Sequence, residues 1–289
     1  MIEIRNNIFL IPGANASRFP YCACLYLQGK DLRLLIDAGM GKTNLAPCLE
    51  KGIDLIILSH CHLDHRLTLT RLPDRQVWCH EKETVYLENH EHFVKGIGFL
   101  RGGMEVKKVF EGYTIPEIPI QKKLVDGQRI DLGGLSLEVL HTPGHTPGHL
   151  AFFVPEEKLL FAADIDLSAF GPFYGHDFAE MDDFIRSIRM LKNIPAEMVV
   201  TGHAGPFEDQ LAERFTAYEA VIYEREQRIL DLLALPRPLS FFLEKNLVYP
   251  VYREPVLLMK WFEQVHLEKQ LNRLTEIGKI REQEGLYFL

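Results

Sequence analysis

The sequence predicts an α/β fold followed by a small, mostly helical C-terminal domain. Three observations carry this. Short apolar runs with strand texture recur up to about residue 206. Several of those runs end in histidine or aspartate. Beyond Pro206 long helical periodicity takes over, and His266 is the one histidine left. The expected division is therefore 1–206 and 207–289, reasonable for a 289-residue chain.

In order, Ile8–Pro12, Tyr21–Leu27 and Leu32–Asp37 read as strands, separated by the turns Pro12-Gly13 and Gln28–Asp31. Thr43–Glu50 reads as a short helix, Asp54–Leu58 as a buried strand and Gln76–His80 as another. Glu81–His92 is expected to be one helix. Residues 93–123 contain Lys95–Gly103, glycine-rich but without G-x-G-x-x-G order, and read as a mobile loop of the kind that forms lids. Strand texture resumes at Leu135–Leu140, Leu150–Val154 and Leu159–Asp164. An apolar stripe over Phe178–Leu191 marks a helix, and Ala196–Thr201 is a further strand. Helices are expected from Leu211 to Pro236 and from Val256 to Ile277, with a terminal hairpin over Arg281–Leu289.

Composition narrows the function. A formal charge of −8 disfavours a polyanion-binding surface. No apolar run is long enough for a membrane helix, and the first residues lack a signal-peptide pattern, so the expected location is cytoplasmic. Five cysteines without C-x-x-C fit a reducing compartment. Cys22 and Cys24 read as core packing, and Cys61 as filler between two candidate ligands.

The chemistry concentrates in Ser59-His60-Cys61-His62-Leu63-Asp64-His65. Residues i and i+2 point to opposite sides of a helix, so His60 and His62 can share a metal only from a strand end or a tight loop. Asp64 and His65 then lie beyond a first metal and can begin a second site. His145, Asp164 and His203 follow at other strand ends. Nitrogen and carboxylate donors suit zinc, iron or manganese, and a closed cysteine-rich structural zinc is not indicated.

The first motif resembles the H-x-H-x-D-H signature of the metallo-β-lactamase superfamily. Thr142-Pro143-Gly144-His145, Phe161-Ala162-Ala163-Asp164 and Thr201-Gly202-His203 resemble its later motifs in order, over about residues 5–206. The resemblance implies a four-layer αβ/βα sandwich with two divalent ions at one edge, zinc first, iron or manganese as alternatives. It implies His60, His62 and His145 on one ion, Asp64, His65 and His203 on the other, and Asp164 bridging. Asp37 would support the ligand loop from behind. The C-terminal part resembles a winged-helix-like appendage of the lactamase-β-2-like branch, through Glu224–Leu230, His266–Lys269 and Leu274–Ile280. Arg66-Leu67-Thr68-Leu69 departs from the Gly-Gly pair common in relatives and is expected to alter the pocket floor.

The expected activity is hydrolysis of a small ester, thioester or lactone by a metal-bridging hydroxide, with Asp64 and Asp164 catalytic, as in glyoxalase II-like relatives. Phe173, Tyr174 and His176 are candidate substrate contacts. An endoribonuclease of the lactamase-β-2-like type and a mononuclear iron persulfide dioxygenase are the alternatives. A small molecule is the expected partner and nucleic acid is not favoured. Oligomeric state stays open, a dimer among the options.

Overall fold

The computed structural model describes residues 1–104, 109–110 and 115–289. One sheet orders β1 (Ile2–Arg5), β2 (Ile8–Ile11), β3 (Cys24–Gln28), β4 (Arg33–Ile36), β5 (Leu55–Ile57), β6 (Gln76–His80) and β7 (Lys122–Leu124) side by side. Pairing is antiparallel from β1 to β4 and parallel from β4 to β7. In the second sheet, β8 (Arg129–Asp131), β9 (Ser136–His141), β10 (Leu150–Val154) and β11 (Leu159–Phe161) pair antiparallel in sequence order. β12 (Met198–Val200) joins β11 in parallel.

Period-two alternation sorts these strands into layers. Leu25, Leu27, Leu34, Ile36, Leu55 and Ile57 from the first sheet share one core with Leu137, Val139, Phe152 and Phe161 from the second. The opposite faces are apolar too, so the runs read as continuous and demand helices outside. Tyr26, Leu35, Ile56 and Val77 pack under α1 (Lys42–Lys51), α3 (Glu81–Glu88) and α4 (His90–Ile97), through Leu45, Leu87, Phe93 and Ile97. A one-turn helix, α2 (Leu63–Arg66), follows β5. On the other side Phe153, Leu160 and Val199 pack under α5 (Met181–Lys192), through Phe184 and Ile188. The result is a helix–sheet–sheet–helix sandwich.

The remainder orders as α6 (Leu211–Asp231), β13 (Arg237–Pro238), α7 (Leu239–Leu243), α8 (Val256–Glu276), β14 (Arg281–Gln283) and β15 (Leu286–Phe288), with the last two forming the expected hairpin. Ile229, Phe242, Leu267, Leu271 and Leu274 form a core of their own. The same helices also enter the sandwich's cores: Phe215, Tyr218 and Ile222 of α6 join the layer over α5, and Trp261 and Val265 of α8 join that under α4. Arg273 pairs with Asp182 at 2.6 Å, and Lys269 donates to the Ala179 carbonyl at 2.6 Å.

Two expectations need correction. Glu81–His92 is not one helix: Asn89 is extended, ends α3, and its side chain accepts from the His92 N–H to cap α4. The loop expected over 93–123 begins inside α4, whose Phe93, Val94 and Ile97 are buried. The rest of that expectation falls partly outside the described residues, at 105–108 and 111–114.

Gly39 ties the fold to the ligand loop. A Cβ there would lie 1.6 Å from the Asp64 carbonyl oxygen and 2.6 Å from Cys22 Sγ. Gly39→Ala is expected to destabilise the chain by about 1–3 kcal/mol or more, with a matching loss of bound metal. Urea unfolding with elemental analysis checks both.

Candidate metal centre

The donors reach one edge because their strands end there. β4 stops before Asp37, β5 before the Ser59–His65 loop, β9 before the loop holding His145, β11 before Asp164 and β12 before His203. Cross-links hold these ends together. The Leu150 N–H donates to the Ser59 carbonyl at 2.9 Å, and Ala38 N–H to the His65 carbonyl at 2.7 Å.

Three donor groups form among the described residues. His60, His62, His145 and Asp164 make one, and Asp64, His65 and His203 a second. The third, Cys22, Asp37 and His65, lies behind the other two and shares His65. His62 Nδ1 lies 3.0 Å from His60 Nε2 and 2.9 Å from His145 Nε2. Nitrogens bound at about 2.0–2.1 Å to one zinc ion lie about 3 Å apart, so this crowding suits a shared cation. Asp164 stands between the first two. Its Oδ2 is 3.1 Å from His145 Nε2 and 3.7 Å from His60 Nε2, while its Oδ1 is 2.9 Å from His65 Nε2 and 3.5 Å from His203 Nε2. Asp64 Oδ2 is 3.3 Å from His203 Nε2.

The far side of every imidazole is engaged. His60 Nδ1 meets Ser59 Oγ at 3.0 Å, and His65 Nδ1 meets Asp37 Oδ2 at 2.8 Å. His145 Nδ1 donates to the Phe173 carbonyl at 2.9 Å, and His203 Nδ1 to the Ser17 carbonyl at 2.7 Å. His62 Nε2 lies 2.9 Å from His176 Nδ1. Such outer partners fix the tautomer and aim the remaining lone pair inward. Asp37, fully buried, also accepts from Ser59 N–H and Oγ at 2.8 Å each.

The electrostatics suit a cation in the gap. Burial, then neighbouring imidazoles, pushes His60 and His62 well below the usual imidazole range, keeping them neutral. Burial is the largest single influence on His65 and His203 too and opposes their charge. Yet neighbouring carboxylates together outweigh it, Asp164 with Asp37 at His65 and Asp164 with Asp64 at His203, and hold both well above that range. His65 Nε2 and Asp164 Oδ1, although 2.9 Å apart, are buried without an aligned hydrogen bond to any described residue. Orphaned donor atoms of this kind fit a metal better than each other.

Three further neighbours of the site carry no motif in the sequence. Glu83 on α3 is fully buried, and burial pushes its carboxyl up against three donors. It accepts from Cys61 N–H at 2.7 Å, Thr146 Oγ1 at 2.8 Å and Gly148 N–H at 2.6 Å, so one carboxylate ties the His60–His62 loop to the His145 loop. His149 accepts the Asp164 N–H on Nε2 at 3.2 Å and meets Thr142 Oγ1 through Nδ1 at 2.8 Å. Tyr218 donates to the Asp164 carbonyl at 3.2 Å.

The first two donor groups floor a cavity of about 420 Å³, and Phe173 and His176 line it. Tyr174 does not. It is fully buried behind the wall, where its hydroxyl accepts from Gln270 Nε2 at 2.9 Å and Arg225 Nη1 at 3.2 Å, so its expected substrate contact is withdrawn. Arg66 is not on the pocket floor either. Its guanidinium is buried 4.6 Å from the Phe93 ring centre and donates to the Pro116 carbonyl at 3.0 Å.

If Glu83 holds the two loops in register, Glu83→Ala weakens metal affinity by about 10–100-fold. Chelator competition on the purified variant measures this, with circular dichroism checking that the fold persists.

The comparisons agree with this architecture. The chain is 25% identical over 187 residues to an atrochrysone carboxyl ACP thioesterase of Aspergillus fumigatus, covering 61% of this chain and 49% of that protein. It is 32% identical over 184 residues to a hydroxyacylglutathione hydrolase of Ruegeria pomeroyi, covering 59% and 60%. Thus it spans about half the length of the curated relatives it matches. The crystal structure of a metallo-beta-lactamase family protein from Thermus thermophilus superposes with a TM-score of 0.78 at 25% identity, covering 98% of each chain. The family model for the Metallo-beta-lactamase superfamily matches residues 18–203, about two thirds of the chain, and the chain belongs to that superfamily.

Proposed function

We propose that this chain is a metal-dependent hydrolase of an ester, thioester or lactone, with two divalent ions as cofactor. Zinc is the first choice, iron and manganese the alternatives. The observation that carries the reading is the pair of donor groups with Asp164 in reach of both, at the floor of a largely apolar cavity. In this reading His60, His62 and His145 would hold one ion and Asp64, His65 and His203 the other, with Asp164 available to both. Such ions, when bound, lower the pKa of a water and polarise a carbonyl.

The chain's own groups supply the rest. Asp64 lines the cavity 3.3 Å from His203, where a carboxylate can orient the attacking water. Asp37, Ser59 and the Phe173 carbonyl hold the imidazoles in the tautomer that faces the centre. Apolar walls exclude bulk water and strengthen the local electrostatics. We read residues 207–289 as an appended winged-helix-like unit, supported by the α6–β13–α7–α8–β14–β15 order and the three-stranded sheet β13–β15–β14. Its Leu258 and Phe262 complete the cavity wall.

The names of the two relatives, a thioesterase and a hydroxyacylglutathione hydrolase, support acyl transfer to water. The nuclease alternative has less support, because Arg18 is the one lysine or arginine lining the cavity among the described residues. The mononuclear dioxygenase alternative leaves the Asp64–His65–His203 group without a task.

Asp164→Ala and His145→Ala are expected to lose bound metal and to reduce thioester hydrolysis by at least about a thousandfold. Elemental analysis alongside a thiol-release assay tests this. Full activity in a chelated, metal-free preparation refutes the reading.

A further inference from the structure

We propose that the cavity receives the substrate's acyl group and that this group is a bulky, uncharged aromatic one, a fused-ring aroyl rather than a short hydroxyacyl chain. The proposal rests on the hydrolase reading and names its substrate class.

The cavity's volume, about 420 Å³, falls in the range of about 300–1,000 Å³ typical of sites that enclose a drug-sized ligand. Seven phenylalanines line it among the described residues. Phe93 comes from α4, Phe99 and Phe110 from the segment after it, Phe173 from the loop after β11, and Phe262 from α8. Their rings already meet one another, tilted where Phe99 meets Phe110 and Phe262, and edge to face at Phe173. Phe173 and Phe262 lie 5.1 Å apart at 87°, and His176 lies 5.5 Å from Phe262 at 74°. A flat aromatic ring extends such a lattice, gaining edge-to-face contacts beyond the area it buries. A two- or three-carbon hydroxyacyl group would leave most of these walls uncovered.

Polarity gives the orientation. The donor groups form one end of the chamber, so the scissile carbonyl sits there with the ring system against Phe99 and Phe262. Arg18 and the half-exposed Phe19 line it too, next to Ser17, whose carbonyl accepts from His203 Nδ1, so they offer the leaving group a path out beside the donor groups. Among the described lining residues no second lysine or arginine is present to clamp a multiply anionic carrier inside. In the reaction water adds to the acyl carbon, the C–S bond breaks, and the products are an aromatic carboxylate and the free thiol, with one proton released. Because Leu258 and Phe262 lie on α8, residues 207–289 share in acyl selection with the walls from α4 and the loop after β11.

The test uses the full-length, metal-loaded protein and thioesters of one thiol, N-acetylcysteamine, bearing 2-naphthoyl, octanoyl or acetyl groups. Naphthoyl is expected to exceed acetyl in kcat/KM by about 100-fold or more and octanoyl by about tenfold. Calorimetry with 2-naphthoate supplies a readout independent of turnover. Phe262→Ala should weaken that binding about tenfold while metal content stays unchanged. Equal turnover of the three thioesters, or a preference for octanoyl, overturns the proposal. So does naphthoate binding that is absent or indifferent to Phe262→Ala. If naphthoate binds in a Phe262-dependent way and no thioester is cleaved, the aromatic site stands and the hydrolase reading falls.

Discussion

Everything at the active edge depends on Asp164, a carboxylate enclosed by imidazoles that cannot satisfy it. Four histidines approach its two oxygens within 3.7 Å, while the outer nitrogens of those same rings are occupied elsewhere. Burying ionisable groups without compensation costs several kcal/mol. Neutral rings cannot all donate into the gap, and protonating all of them would crowd positive charge. A cation in each gap would resolve both conflicts, which is why this crowding supports the proposed metal site.

The scaffold reads as a set of answers to that constraint. Ligands on separate strand ends must be held in register, and the restraints come from buried polar groups. Asp37 grips the start of the first ligand loop, and Glu83 joins that loop to the one bearing His145. His149 and Tyr218 hold the Asp164 backbone from two sides. These groups are expensive to bury alone and acceptable only as a connected network. Helices α6 and α8 take part, since Tyr218 reaches the Asp164 carbonyl and Phe262 walls the cavity.

Local and periodic signals were legible in the sequence. Donors at i, i+2, i+4 and i+5 after a short apolar run specify a strand-end loop, and strand texture located His145, Asp164 and His203. The hairpin after Ile280 and the helix at 181–192 followed from apolar spacing and turn residues. What failed was whatever depends on a side chain's direction within an irregular segment. Tyr174 and His176 sit two residues apart on one loop, yet one faces Arg225 and the other His62. Glu83 lay hidden among charged neighbours on α3. Its one signal in the sequence was its spacing, four residues before Leu87 on the stripe that the structure buries. Asn89, a capping residue, was a readable break in the α3–α4 run.

The central claim is that two donor groups hold two ions about Asp164. The most direct measurement is anomalous diffraction from crystals of the purified protein, collected at the absorption edge of the metal that elemental analysis finds. The account predicts two peaks about 3.5–4 Å apart, one among His60, His62 and His145, the other among Asp64, His65 and His203, with Asp164 between them. A site that stays empty in metal-replete crystals, or peaks bound away from these seven residues, would contradict it.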